Sequence, residues 1–223
     1  LDWLIGNVGT KDVDIIDATE CTSMIALQGP KSREILTENS NFDLDSLRSF
    51  GCVSTEVFGV ESFIGRTGYT GEDGFEIIIS AEHGPTVWKG LELTGAIPCG
   101  LGARDVLRLE AGLLLHGSDM DLTVNPYEVN LGSFVEPNRD GYIAKEALLS
   151  VQQNGLSRRS VGFVMDGKSV PRHGHSIRAE GEKIGEVTSG APSPTLGVNI
   201  GIGLVELGWS EPGTLFDVDI RGR

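Results

Sequence analysis

The hydrophobic pattern changes period along the chain, and its clearest helical stretch lies between residues 98 and 121. Val106, Leu109 and Leu113 recur there at the i, i+3 and i+7 positions, which is the spacing of one face of an α-helix. The proline and glycines just before this run predict that the helix begins near Ala103. Similar patterns predict further helices at 31–38, 83–93 and 145–153.

Alternating apolar and polar residues predict strands in two groups. The first covers 13–18, 24–28, 52–58, 62–66 and 75–79, with a hairpin turn at Gly59-Val60-Glu61. The second covers 160–165, 175–179, 183–188, 200–205 and 215–220, with a Gly-, Pro-, Ser- and Thr-rich ordered loop at 189–197. Short strands with turn glycines are typical of a small β-barrel or sandwich.

These patterns predict an α+β fold with mixed or antiparallel sheets and packed helices, followed by a small C-terminal β-barrel. The helix at 145–153 ends at Asn154-Gly155, so the predicted domains are 1–155 and 156–223. The chain starts with Leu1, Leu4 and Ile5 in the pattern of a helix end, which predicts a fragment of a longer protein.

The net charge, the lengths of the apolar runs and the cysteine content make some classes of function and location less favourable than others. A formal net charge of −14 disfavours nucleic acid as a partner, because phosphate backbones repel an acidic surface. No apolar run is long enough to span a membrane, so a soluble protein is expected. The cysteines, at 21, 52 and 99, lack CxxC spacing, which disfavours a disulfide framework or a zinc site and indicates a reducing compartment.

Arg104 falls in the first turn of the predicted helix. A positive charge there opposes the helix dipole, which favours negative charge at the N-terminal end. Two interpretations remain open: Arg104 is partly buried against a carboxylate, or it binds a ligand. The same stripe continues through Arg108 and Ala111, which predicts a packed surface rather than a free solvent face.

The segment Arg66 to Glu76 is the second candidate region. Its three glycines allow close approach of a ligand to the backbone, and Tyr69 between them offers an aromatic face and a hydroxyl. Glu76 lies on the strand face opposite its apolar neighbours, where a carboxylate is either solvated or part of a site. The glycines form no nucleotide-binding motif. His173 and His175 lack a third ligand nearby, so exposure to solvent is favoured over a metal site.

Four motifs together resemble the aminomethyltransferase, or T-protein, family of the glycine cleavage system. They are GYTGEDGFE at 68–76, PCGLGARDVLRLEAG at 98–112, DMD at 119–121 and TSGAPSPTLG at 188–197. The resemblance implies transfer of a one-carbon unit from the lipoyl arm of H-protein to tetrahydrofolate, with release of ammonia and formation of 5,10-methylenetetrahydrofolate. It implies no metal and a cytoplasmic location, or the mitochondrial matrix in a eukaryote.

The resemblance also implies residue roles. Glu76 would accept hydrogen bonds from the pterin N–H groups, Tyr69 would line the folate pocket, and Arg104 would line it and hold a carboxylate in place. Phe50 lies near an aromatic position that packs on folate in relatives, but without a distinctive motif the sequence favours an ordinary core aromatic. The family's catalytic aspartate lies upstream of the region that resembles Leu1. No catalytic residue is therefore assigned to this chain, and little activity is expected from it alone.

Two other functions stay open at this stage. The chain resembles, more distantly, other folate-dependent demethylases of the same fold, which differ in the one-carbon donor. A folate-binding protein without transferase activity is the alternative outside the enzymes.

Overall fold

An antiparallel sheet of four strands organises the first of two structural units, residues 1–99. The computed structural model describes residues 1–9, 11–220 and 222. The strands are β1 (Thr22–Gln28), β2 (Cys52–Val57), β3 (Val60–Gly65) and β4 (Gly74–Ser80), in the order β1-β4-β3-β2. The helices of this unit are α1 (Asp2–Asn7), α2 (Ser32–Glu38) and α3 (Gly84–Leu93).

One face of this sheet forms the core of the unit. Leu36 of α2 and Val87 and Leu91 of α3 pack against strand residues that alternate along β1, β3 and β4. The buried apolar residues of these strands are Ile25, Leu27, Val60, Ile64, Phe75, Ile77 and Ile79. Side chains at the intervening positions point to the other face, since successive residues of a strand alternate. That second face is open, and Met24 is 59% exposed on it.

Two predictions in this unit are wrong. The β2–β3 hairpin turns at Phe58 and Gly59, with φ of 51° and 74°, because a two-residue turn with positive φ at both positions matches the twist of the strands. The predicted strand at 13–18 lies outside the strands of the described residues. All six of its residues are exposed, so its apolar side chains have no core to pack against.

The second unit, residues 100–223, is built on a five-stranded antiparallel sheet in the order β5-β8-β7-β6-β9. The strands are β5 (Arg158–Val164), β6 (Ser176–Ala179), β7 (Glu182–Ser193), β8 (Val198–Glu206) and β9 (Asp217–Asp219). Phe163 of β5 meets Phe216, just before β9, edge to face with ring centroids 5.6 Å apart. The two edges of the sheet therefore approach each other, which confirms the predicted barrel-type domain.

Two helices belong to this unit, α4 (Leu101–Glu110) and α5 (Lys145–Asn154). Leu109 of α4 is buried against Ala191 of β7 and Ile200 and Ile202 of β8, so the helix predicted from the apolar stripe packs on the sheet. β7 continues to Ser193, and the prediction of a loop over all of 189–197 is therefore wrong for its first five residues. They stay in the sheet because their pairing with β8 is unbroken from Ser189 to Ser193.

The predicted domain boundary at 155–156 stays a prediction. Among the described residues, none of the helices combines the length and apolarity needed to cross a membrane.

Candidate functional site

A groove of about 310 Å³ lies on the open face of the first sheet. Its floor includes one row of cross-strand neighbours: Glu76 of β4 lies opposite Gly65 of β3, which lies opposite Cys52 of β2. On its other side, Glu76 lies opposite Ala26 of β1. Because its cross-strand neighbours Gly65 and Ala26 are small, the Glu76 carboxylate projects above the surface of the sheet around it.

Apolar side chains border this row. Met24, Ile78 and Phe63 form the next row across β1, β4 and β3, and all three line the groove. Thr67, at the start of the loop that joins β3 to β4, lines it from the other side. The groove thus places one carboxylate between an apolar row and a polar loop, which suits a flat, partly polar ligand.

Glu76 itself is half-buried. Across residues 1–9, 11–220 and 222, no hydrogen bond or ion pair reaches its carboxylate. Two oxygens in one plane are therefore available to accept N–H groups from a ligand.

Phe50 is not a core aromatic, and that prediction is wrong. Its ring is 89% exposed and lines the groove. The backbone explains the position: Phe50 has φ of 61°, and its N–H donates to the carbonyl of Arg66 at 2.9 Å. Left-handed backbone is uncommon for a bulky residue, and such strain concentrates at ligand sites.

The loop between β3 and β4 carries Tyr69, which is half-buried. An ion pair closes the loop at its base: Arg66 donates Nε and a terminal nitrogen to the Asp73 carboxylate at 2.9 and 2.7 Å. These bonds hold the pKa of Asp73 below its usual range, although burial opposes them slightly. Gly68 and Gly74 both lie against the side chain of Gln28, a residue that the sequence analysis did not single out.

Arg104 belongs to the second unit, where it lies on α4 and is exposed. The buried arginine of this helix is Arg108, one turn later, with only 2% of its surface exposed. The interpretation of a buried arginine paired with a carboxylate, considered for Arg104, therefore describes Arg108. The prediction that this stripe packs against the rest of the protein therefore holds at position 108.

Arg108 is enclosed by oxygen acceptors. It donates to Asp105 at 2.8 Å, to Asp119 at 2.6 Å and to the hydroxyl of Ser189 at 2.8 Å. Burial alone lowers the pKa of Arg108, but the two carboxylates outweigh burial and raise it. Asp119, 1% exposed, also accepts from the Thr188 hydroxyl and from the N–H of Leu115. This Arg108 cluster ties α4 to β7 and leaves its charges fully paired.

The described residues contain no group of three or more His, Cys, Asp or Glu side chains arranged to hold a metal ion. His175 accepts from the N–H of Arg172 at 3.2 Å, and a ring nitrogen of His173 lies 3.0 Å from the carbonyl of Thr188. Both histidines thus contact the backbone of their own unit.

Family comparisons cover both units. Residues 1–139 match the GCVT N-terminal domain, and residues 158–223 match the glycine cleavage T-protein C-terminal barrel domain. This chain belongs to the glycine cleavage T-protein family. The resemblance inferred from the four sequence motifs is confirmed, and so is the predicted fold class.

Individual T-protein relatives agree. The aminomethyltransferases of Caldanaerobacter subterraneus and Halothermothrix orenii are 42% and 40% identical to this chain, over 99% and 100% of its length. The crystal structure of glycine cleavage system aminomethyltransferase T from Bartonella henselae superposes with a TM-score of 0.84 at 32% identity, covering 91% of this chain and 56% of that one. The chain spans 60% and 63% of the length of the two curated relatives.

Proposed function

We propose that this chain forms the tetrahydrofolate-binding and barrel portions of an aminomethyltransferase of the glycine cleavage system. The reaction moves a methylene group from aminomethyl-lipoyl H-protein to tetrahydrofolate. The carbon–sulfur bond to the lipoyl arm and the carbon–nitrogen bond to the amine break, and two new bonds join the carbon to N5 and N10 of the folate. The two folate N–H hydrogens leave on ammonia and on the lipoyl thiol, so the atoms balance.

One observation carries the proposal: the accessible Glu76 carboxylate on the floor of an apolar groove. The pterin ring presents neighbouring amino and ring N–H groups along one edge. A carboxylate pairs with such an edge through two charge-assisted hydrogen bonds. Met24, Phe63 and Phe50 offer apolar surface on which the flat ring loses contact with water.

Tyr69 and Arg104 complete the proposed binding residues. The Tyr69 loop borders the Glu76 groove through Thr67. In this proposal the guanidinium of Arg104 holds a carboxylate of the folate or of the site, a task that suits its fixed charge and planar donors. No residue of this chain is proposed as the catalytic group. Neither Asp105 nor Asp119 is free for that role, because both are paired with Arg108.

The proposed partner is the lipoylated H-protein, and the proposed compartment is the cytoplasm, or the mitochondrial matrix in a eukaryote. Three exposed cysteines, all unpaired, fit a reducing compartment. Neither a nucleic acid nor a membrane is a proposed partner, and tetrahydrofolate is a substrate rather than a resident cofactor.

A transfer assay tests the activity. Since the chain spans 60% of the Caldanaerobacter relative, we would replace the matching region of that enzyme with these 223 residues and supply aminomethyl-H-protein and tetrahydrofolate. The expected result is H-protein-dependent formation of 5,10-methylenetetrahydrofolate, which Glu76→Gln lowers and Glu61→Gln leaves unchanged. Glu61 is a matched control, because it lies on β3, on the same face of the sheet as Glu76. It is exposed and lies outside the groove. A folded chimera that binds folate without transfer would instead support a non-catalytic folate-binding protein.

A further inference from the structure

Gln28 ends β1 on the open face of the first sheet, opposite Gly74 of β4. Its side-chain nitrogen donates to the carbonyls of Thr67 and Phe75, each at 3.2 Å. Its side-chain oxygen accepts from the Thr70 hydroxyl at 3.4 Å. One carboxamide therefore contacts the β3–β4 loop on both sides of Tyr69.

The loop has a slot for this carboxamide. A Cβ atom on Gly68 would lie 2.6 Å from Cδ of Gln28, and one on Gly74 would lie 2.7 Å from its Nε2. Real Cβ atoms essentially never approach within 3.0 Å, so any larger residue at either position displaces Gln28. Neither glycine has positive φ, so the backbone itself does not require glycine there. These two glycines of the motif are explained by contact with Gln28.

Further bonds hold the base of the loop against the end of β1. The N–H of Gly29 donates to the carbonyl of Asp73 at 2.9 Å, and the Ser32 hydroxyl donates to the same carbonyl at 3.2 Å. Arg66 pairs with the Asp73 carboxylate and also donates to the carbonyl of Leu47 at 2.7 Å. Between these fixed ends, Gln28 contacts the stretch at 67–70 through Thr67, Gly68 and Thr70.

We infer that Gln28 is a positioning residue, which holds the Tyr69 loop at the border of the Glu76 groove. The inference rests on the proposed function only in naming folate as the ligand that this loop meets. Replacing Gln28 is expected to release the loop and weaken ligand binding through Tyr69, without unfolding the sheet.

The first test uses the 223-residue chain without ligand. NMR order parameters of the backbone N–H bonds at 67–71 are expected to fall from about 0.85 to below about 0.6 in Gln28→Ala, because two hydrogen bonds that hold the loop are lost. Gln28→Glu keeps the shape of the side chain but replaces the N–H donor with a carboxylate oxygen. This oxygen cannot donate to the two carbonyls, so the variant should have a similar effect. Gln153→Ala, at an exposed position near the end of α5, is the control. Unchanged order parameters at 67–71 in both Gln28 variants, with thermal unfolding intact, would overturn the inference.

A double-variant comparison tests the slot. Gly68→Ala is expected to lower the order parameters of the same loop by displacing Gln28, and adding Gly68→Ala to Gln28→Ala should cause little further change. Gly162→Ala is the matched control, because a Cβ there meets no atom within 4 Å. If the decreases caused by Gly68→Ala and Gln28→Ala add in full, the two residues act independently and the slot is refuted.

Ligand affinity separates positioning from general support. Gln28→Ala is expected to weaken tetrahydrofolate binding several-fold in the parent chain but to have no effect in a Tyr69→Ala background. Equal losses in both backgrounds would show that Gln28 supports the groove as a whole and would contradict the positioning role. A parent chain that does not bind tetrahydrofolate refutes the proposed function, while the order parameters measured without ligand still decide whether Gln28 holds the loop.

Discussion

The charged groups at Arg108 and at Glu76 are built in opposite ways. Arg108 in the second unit is buried, and each of its donor groups meets an acceptor within the chain. Glu76 in the first unit stands on an open sheet face, and the described part of the chain supplies no donor to its carboxylate. A satisfied cluster contributes to stability, whereas an accessible acceptor between apolar walls contributes to binding. The difference separates the structural charges of this chain from its proposed ligand-binding ones.

Removing Arg108 is the strongest way to test this difference. Arg108→Ala leaves two carboxylates uncompensated, one of them buried, and is expected to lower the free energy of unfolding by about 3–5 kcal/mol. Arg33→Ala is the control, because Arg33 and Asp45 form an exposed pair with side chains 52% and 69% accessible, worth at most about 1 kcal/mol. Urea unfolding of both variants measures the effect. A loss below about 1 kcal/mol for Arg108→Ala would mean that the buried cluster is not structural.

Glu76 should show the reverse behaviour. Glu76→Ala is expected to weaken tetrahydrofolate binding by about 1–3 kcal/mol, since it removes charge-assisted hydrogen bonds to the pterin edge. Its free energy of unfolding should stay within about 0.5 kcal/mol of the parent value. Calorimetric titration and urea unfolding of the same sample give both numbers. A large loss of stability would place Glu76 with the structural charges instead.

Arg104 sharpens the contrast within one helix. It lies one turn before Arg108 on α4 but is exposed. Arg104→Ala should weaken folate binding by about 1–3 kcal/mol and change stability far less than Arg108→Ala does. The same two measurements apply, with Arg139→Ala, also exposed, as the control. Unchanged folate affinity in Arg104→Ala would remove this residue from the proposed site.

The smallest expected effect is a pH dependence at the Tyr69 loop. Hydrogen bonds from Arg66 lower the pKa of Asp73 in the folded chain. The stabilisation from this pair is therefore complete above the unfolded pKa of about 3.9 and is lost as the pH falls through the lower folded value. Unfolding measured between about pH 5 and pH 2 should show a shallower loss of stability in Asp73→Asn than in the parent chain. Asp12→Asn, at an exposed position outside this pair, is the matched control. If stability falls with pH at the same slope in Asp73→Asn and in the parent chain, the prediction is contradicted.

The secondary structure follows from local patterns where an element buries one face. The stripe that includes Val106 and Leu109 predicts α4, and the alternation around Glu76 predicts both β4 and the face on which the carboxylate lies. Residues 13–18 are also rich in apolar residues but are all exposed, and whether a strand finds a partner is not encoded in its own pattern. Local sequence patterns therefore predict the α+β class more reliably than they predict each individual strand.

The structural cluster at Arg108 and the candidate site are both harder to predict, because their contacts join residues that are distant in sequence. Arg108 pairs with Ser189, which is 81 positions away, and Gln28 contacts Thr67 from 39 positions away. Phe50 reaches the groove through a positive φ that its sequence neighbours do not suggest. The presence of Gly68 and Gly74 on either side of Tyr69 is the sequence feature that could have indicated a close neighbour such as Gln28. It indicates close packing but does not name the partner.

The most direct test of the account is the affinity of this chain for tetrahydrofolate, measured by calorimetric titration of the parent, Glu76→Gln and Glu61→Gln proteins. We expect saturable binding to the parent, a loss of about tenfold or more in Glu76→Gln, and an unchanged affinity in Glu61→Gln. Equal affinity in the parent and Glu76→Gln, or no binding to a folded parent, would contradict the claim that the groove around Glu76 binds folate.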